Sequence, residues 1–148
     1  MKITAKILTV LISLALFSCE VSKSDTEGYI DKFYSNKIAF EKVAEKIYAD
    51  KELTKRTGRR IPENKIDPEI KNDLEKLGIE SFTIYKANCK KDIEVEFILN
   101  WTKNATLYLV KNNCNFDRSK IGYHSKTTMI EVWGLGNGWI MWIDYDFI

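Results

Sequence analysis

The chain has 148 residues, 45% hydrophobic and 30% charged, enough for one domain around a single core and too few for two. Its 23 basic and 21 acidic side chains nearly cancel, so no basic excess equips it for nucleic acid and no long-range field steers an acidic substrate. Three cysteines without a C-x-x-C spacing and a single histidine supply no metal-ligand set, and no cofactor motif is present.

From the N-terminus, Lys2 and Lys6 precede an apolar run from Ile7 to Phe17 that is broken only by Thr9 and Ser13. The run closes on Leu16-Phe17-Ser18-Cys19. A basic start, a short apolar stretch and a small residue at the cut read as a secretory signal, too short to span a bilayer comfortably. With its cysteine at the cut, residues 1–20 resemble a bacterial lipoprotein signal peptide, Phe17 matching the relaxed lipobox of Bacteroidota. The resemblance implies cleavage between Ser18 and Cys19, lipid on Cys19, and a mature chain held at the membrane of the cell envelope. About 0.8 kcal/mol per buried methylene makes several acyl chains a stable anchor. Glu20, where Asp would mark inner-membrane retention in some bacteria, points to the outer membrane, facing periplasm or surface. An ordinary signal cut after Ala15 is the alternative. Loss of Lys2 and Lys6 with the signal leaves a mature chain of formal charge zero.

With Cys19 acylated, Cys89 and Cys114 remain in an oxidising compartment, where a disulfide is expected. Residues 19–26 read as a polar tether, and 27–148 as one domain. Ser24 followed by Glu27 has the form of a capping box, opening a long helix to about Asp50. Its stripe is Ile30, Phe33, Phe40, Val43, Ala44 and Ile47, spaced by threes, fours and sevens. A polar, basic connection follows, carrying Lys55, Arg56, Arg59 and Arg60, either a solvated loop or a contact for phosphate head groups. Asp67-Pro68 then opens a short helix with the stripe Ile70, Leu74 and Leu77, and Gly78 stops it.

Beyond Ile79 the hydrophobic period becomes two. Strands are expected around 81–85, from Ile93 to Trp101, around Leu107 and Leu109, from Thr127 to Trp133, and from Trp139 to Phe147. Gly134, Gly136 and Gly138 supply the turn before the last of these. The plan is α+β: one long and one short N-terminal helix, then a meandering antiparallel sheet of four to five strands. In outline it resembles the cystatin-like or nuclear-transport-factor-like architecture, an analogy that carries no function. Setting Val95 opposite Leu109 and Phe97 opposite Leu107 places Glu96 across from Tyr108. That register leaves Cys89 facing Asn115, one residue beyond Cys114, so a bulge or frayed end would complete the disulfide.

If Ile93, Val95, Phe97 and Leu99 face the long helix, the other sheet face gathers Tyr85, Glu94, Glu96, Tyr108, Val110, Met129, Glu131, Trp133, Trp142 and Asp144. Rings beside carboxylates suit a glycan, and the same mix suits a protein interface, where Trp and Tyr concentrate binding energy. A helix or tail laid over this face would instead make the rings core. Glu94 and Glu96, about 6.6 Å apart on one strand face, fall within the spacing of paired glycosidase carboxylates, a spacing common to exposed strands. His124 lies in FDRSKIGYHSK, expected as a loop, where Asp117, Tyr123 and Ser125 are only sequence neighbours for a general base. No G-x-S-x-G, H-E-x-x-H or phosphate-cradling glycine motif occurs. These features point to a non-enzymatic binding module whose partner is an envelope protein, a toxin or a glycan, with no nucleic acid. A small hydrolase of envelope glycans or peptides, or a structural subunit of an envelope assembly, are the other readings.

Overall fold

The computed structural model describes residues 23–87, 89, 93–102, 104–114 and 117–145, with side chains from Thr26 onward. The leader, Cys19 and the chain end at 146–148 lie outside the described residues. Helix α1 (Lys23–Ser35) and helix α2 (Lys37–Ala49) divide the expected long helix at Asn36. There the backbone leaves helical geometry and the Asn36 amide side chain donates to the Lys32 carbonyl at 2.9 Å. Asparagine offers the backbone this local alternative to the helix ladder. Residues 23–26 are already helical, so the expected tether ends before Lys23.

Asp50 serves as the N-cap of helix α3 (Lys51–Thr54), accepting from the backbone N–H groups of Glu52 and Leu53. Strand β1 (Arg59–Arg60) follows, and then helix α4 (Pro68–Leu77), which has the ends the sequence predicts. The Asp67 carboxylate accepts from the Glu69 N–H at 2.8 Å, Pro68 takes the first helical position, and Gly78 ends the helix at φ +67°.

The remaining strands are β2 (Ser81–Lys86), β3 (Ile93–Trp101), β4 (Ala105–Asn112), β5 (His124–Lys126), β6 (Ile130–Gly136) and β7 (Trp139–Tyr145). They form one antiparallel seven-stranded sheet in the order β1-β2-β3-β4-β7-β6-β5, two strands more than the sequence announces. The fold is α+β, with α1, α2 and α4 layered on one face. Phe33, Phe40, Val43 and Ile47 from the helices pack with Phe82, Val95, Phe97, Leu109, Trp139 and Met141 from the sheet. Burial of this kind contributes about 25 cal/mol per Å² of apolar surface.

Two expectations about register are corrected. Val95 pairs with Lys111 and Phe97 with Leu109, a slip of two residues from the expected alignment, and Glu96 lies across from Val110 rather than Tyr108. A slip of two returns every side chain to the same face, so the division into faces survives. Cys89 nevertheless bonds Cys114, their Cα atoms 6.0 Å apart, because Cys89 lies in the β2–β3 connection and not on an extended β3. The second correction is one of parity. The register shifts between Gly134 and Gly136 in β6, and between Ile98 and Asn100 in β3. Each bulge adds one residue and turns the strand beyond it over.

Asn137 (φ 52°) and Gly138 (φ 78°) join β6 to β7, both in the left-handed region that a two-residue hairpin loop of this type requires. Among the described residues no helix is long and apolar enough to cross a membrane.

Candidate functional site

The buried apolar side chains of the helices cluster with the first face of the sheet and leave the second without a helix over it among the described residues, although Ser81, Thr83, Thr106, Val110 and Asn112 on that second face are themselves buried. Ladder pairing lays that open face out in ranks. Tyr85, Glu94 and Asn112 form one rank; Thr83, Glu96, Val110, Ile140 and Gly134 form the next. Below them run Ser81, Ile98, Tyr108, Trp142 and Val132, and then Trp101, Thr106, Asp144 and Ile130. The Tyr108 and Trp142 rings stack at 4.4 Å and 15°. The turn around Asp117–Ser119 reaches this face at Gly134, where a Cβ would collide with the Lys120 carbonyl oxygen.

Of the residues the sequence assigned to this face, Tyr85, Glu94, Glu96, Tyr108, Val110, Trp142 and Asp144 are there. Glu131 and Trp133 are not. They pair with Ile143 and Met141 on the helix side, because the β6 bulge at Leu135 reverses the alternation counted back from the turn. Met129 sits in the turn between β5 and β6. Trp101, which simple alternation sends into the core, is instead 70% exposed at the end of the open face, turned over by the bulge at Leu99. Ile98, Val132 and Ile140 join it as a partly open apolar band that sequence reasoning missed. Their signal was the second phase of strands whose other phase was already assigned to the core.

One end of the band is acidic. Burial raises the Glu94 carboxyl above its ordinary range. Burial, reinforced by the neighbouring Glu94 charge, pushes Glu96 up to about 7, against a hydrogen bond from Tyr85. The same burial, with the Glu96 charge, raises the Tyr85 phenol. Because the folded state holds the Glu96 proton more tightly than the unfolded chain, its contribution to stability is complete below about pH 4.5 and lost as pH rises towards 7. Glu96→Gln is therefore expected to raise the melting temperature at pH 8 and leave it unchanged at pH 4. After discount for partial solvation the gain is on the order of 1 kcal/mol. A pH series of thermal melts reads this, and equal melting temperatures at pH 8 would refute the buried, protonated carboxyl.

A second constellation lies on the helix side, at the β5 edge. His124 pairs with Trp133 across the β5–β6 hairpin, and the rings stack at 5.4 Å. His124 Nε2 is 2.9 Å from Glu131 Oε1, while Lys126 Nζ and the Tyr145 hydroxyl reach Oε2 at 2.7 and 2.9 Å. Burial would raise the Glu131 carboxyl, but hydrogen bonds from Lys126, His124 and Tyr145 outweigh it and hold the group below its ordinary range. An ionised carboxylate has no proton to give, so Nε2 carries the hydrogen and Nδ1 points away. With Thr26, Glu27 and Ile30 of α1 these side chains line a cavity of about 200 Å³. The sequence treated 116–126 as loop and thus missed the carboxylate that orients His124. The tight turn closed by Thr127 N–H donating to the Ile130 carbonyl at 2.8 Å is the feature that brings them together.

No protein-family model matches the chain, and neither a curated protein nor a solved structure is significantly similar to it. No group of three or more His, Cys, Asp or Glu side chains among the described residues is arranged to hold a metal ion.

Proposed function

We propose that this chain is a lipid-anchored binding module of the bacterial cell envelope that captures a protein partner on the open face of its sheet. The observation that carries the reading is the band of Ile98, Tyr108, Trp142, Val132 and Ile140, partly exposed on a sheet face with no helix over it among the described residues and ended by Trp101 and Ile130. Contiguous apolar surface of this kind marks interaction sites, and aromatic residues at its centre carry most of the binding energy. The rank of Ile98, Tyr108, Trp142 and Val132 carries no carboxylate of its own, Glu96 and Asp144 lying in the ranks beside it, and such a surface suits a protein, a toxin included, better than a glycan, whose hydroxyls need polar partners throughout.

The anchor and the face are tested separately. Intact mass of the protein from the native membrane fraction should start at Cys19 with acyl adducts, and rise by two hydrogens on reduction. An unlipidated chain beginning after Ala15 would remove the anchor. For the face, the immobilised protein captures partners from an envelope extract, and Trp142→Ala is expected to weaken capture by at least about 30-fold, as a central aromatic anchor does. Unchanged capture by Trp142→Ala and Tyr108→Ala, with both variants folded, would sink the assignment.

A second reading, a small hydrolase of envelope glycans or peptides, is favoured by the His124–Glu131 pair. A buried carboxylate that fixes an imidazole with one nitrogen outward is how a general base is oriented. Turnover of envelope substrates that disappears in His124→Ala would support this reading over the first.

A further inference from the structure

Between α3 and α4 the chain places Lys55, Arg56, Arg59 and Arg60 within six residues of a molecule whose mature charge balances to zero. Lys55 is paired with Glu52 at 2.7 Å. Arg56, Arg59 and Arg60 are exposed, and among the described residues none has a carboxylate in ion-pair range. The loop that carries them is held in place. Leu53 before it and Ile61 after it are buried. The Gly58 N–H donates to the Ile84 carbonyl at 2.7 Å, and the Ile61 N–H to the Phe82 carbonyl at 3.2 Å. The backbone therefore holds the four cationic residues along a surface groove of about 450 Å³ that also includes Thr57 and Pro62. Lys55 is offset by Glu52, which leaves three guanidinium groups without an ion-pair partner among the described residues.

We propose that the compensating charge is an anionic bilayer surface, and that the Lys55–Arg60 segment docks the domain on lipid phosphates. Arg59 pairs with Ile84 and Arg60 with Thr83, so the two side chains start from opposite faces of the edge strand, and both line the groove. A surface of many headgroups can meet each of the three guanidinium groups separately. Guanidinium forks match phosphate oxygens in pairs. The anchor of the proposed function supplies only proximity, Cys19 standing four residues before α1; the docking chemistry belongs to the loop. Its effect is to fix which side of the domain lies on the membrane.

The test uses the mature chain from residue 19 carrying Cys19→Ser, which keeps every described residue and lacks only the lipid, so a failed anchor does not decide the result. Vesicles of phosphatidylcholine alone are compared, at low salt, with vesicles containing about one-third phosphatidylglycerol. Binding is expected only to the anionic vesicles and is expected to fade as salt shortens the screening length. The triple variant Arg56→Gln, Arg59→Gln, Arg60→Gln should bind about 100-fold more weakly, as removal of three cations from an anionic surface requires. A control removing the exposed cations Lys42, Lys76 and Lys120 should retain binding. Equal binding to both vesicles, no loss in the arginine variant, or an equal loss in the control would each overturn the proposal. So would displacement of the anionic vesicles by polyglutamate at matched charge, which would make the segment a site for an acidic protein.

Discussion

Replacing Trp139 with alanine is expected to cost about 4 kcal/mol, the usual loss for a fully buried tryptophan, and to lower the melting temperature by roughly 15 °C. The indole is wholly buried where α1, α2 and β3 converge on the sheet, with the Phe33, Phe40 and Phe97 rings at 5.3, 6.1 and 6.1 Å. Its N–H donates to Glu41 at 2.7 Å, and the Lys111 ammonium lies over the ring at 5.2 Å. Lys111 is itself tied to Glu41 at 3.0 Å and donates to the Asn137 carbonyl at 2.7 Å. Truncation removes the centre of an aromatic cluster and also withdraws one partner from a half-buried ion pair. Trp101, 70% exposed, is the matched control: its alanine variant should change stability by less than about 0.5 kcal/mol. Thermal unfolding of both variants checks the prediction, and comparable losses at the two positions would contradict the packing.

Removal of the Cys89–Cys114 bond is the second large effect. The bond closes a loop with a sequence separation of 25, and on the chain-entropy account this limits the unfolded ensemble by about 3.5 kcal/mol. Cys114 is buried directly after β4, and Cys89 sits in the connection from β2 to β3, so the bond ties the ends of three consecutive strands. The double variant Cys89→Ser, Cys114→Ser is expected to move the urea midpoint down by about 1–2 M, with a steeper slope because the unfolded chain without the cross-link exposes more surface. Reductant should shift wild type to the same midpoint. A wild-type midpoint indifferent to reductant would mean that the loop is closed by packing alone.

What could be read from the sequence followed from how local each signal is. Asp67-Pro68 and Gly78 mark helix α4 because cap, first turn and stop are fixed by single residues. The assignment of Val95, Phe97 and Leu109 to the core survived a wrong register, since a slip of two positions preserves faces. A bulge does not. Leu99 and Leu135 each shift parity by one, and their sequences give no hint of it, so plain alternation carries Trp101 inward, and Glu131 and Trp133 were expected outward, against their observed places. Strands β1 and β5 escaped notice because two arginines, or His-Ser-Lys, have no apolar alternation to detect. The candidate face was accordingly legible in its central strands and illegible beyond β7. His124 illustrates the same limit: its orienting carboxylate is seven residues away along the chain and adjacent only through a hairpin.

The two strands that escaped notice also bound the sheet. β1 offers a newcomer two residues and β5 three, and each flank is lined by cations: Arg59 and Arg60 on one side, Lys126 beside His124 on the other. A second copy seeking to lengthen the sheet would gain only a few rungs and would meet its own like charges there. Short, charged flanks of this kind block strand-by-strand polymerisation. Crowded side by side, copies of the molecule therefore gain little by joining strands at these two flanks.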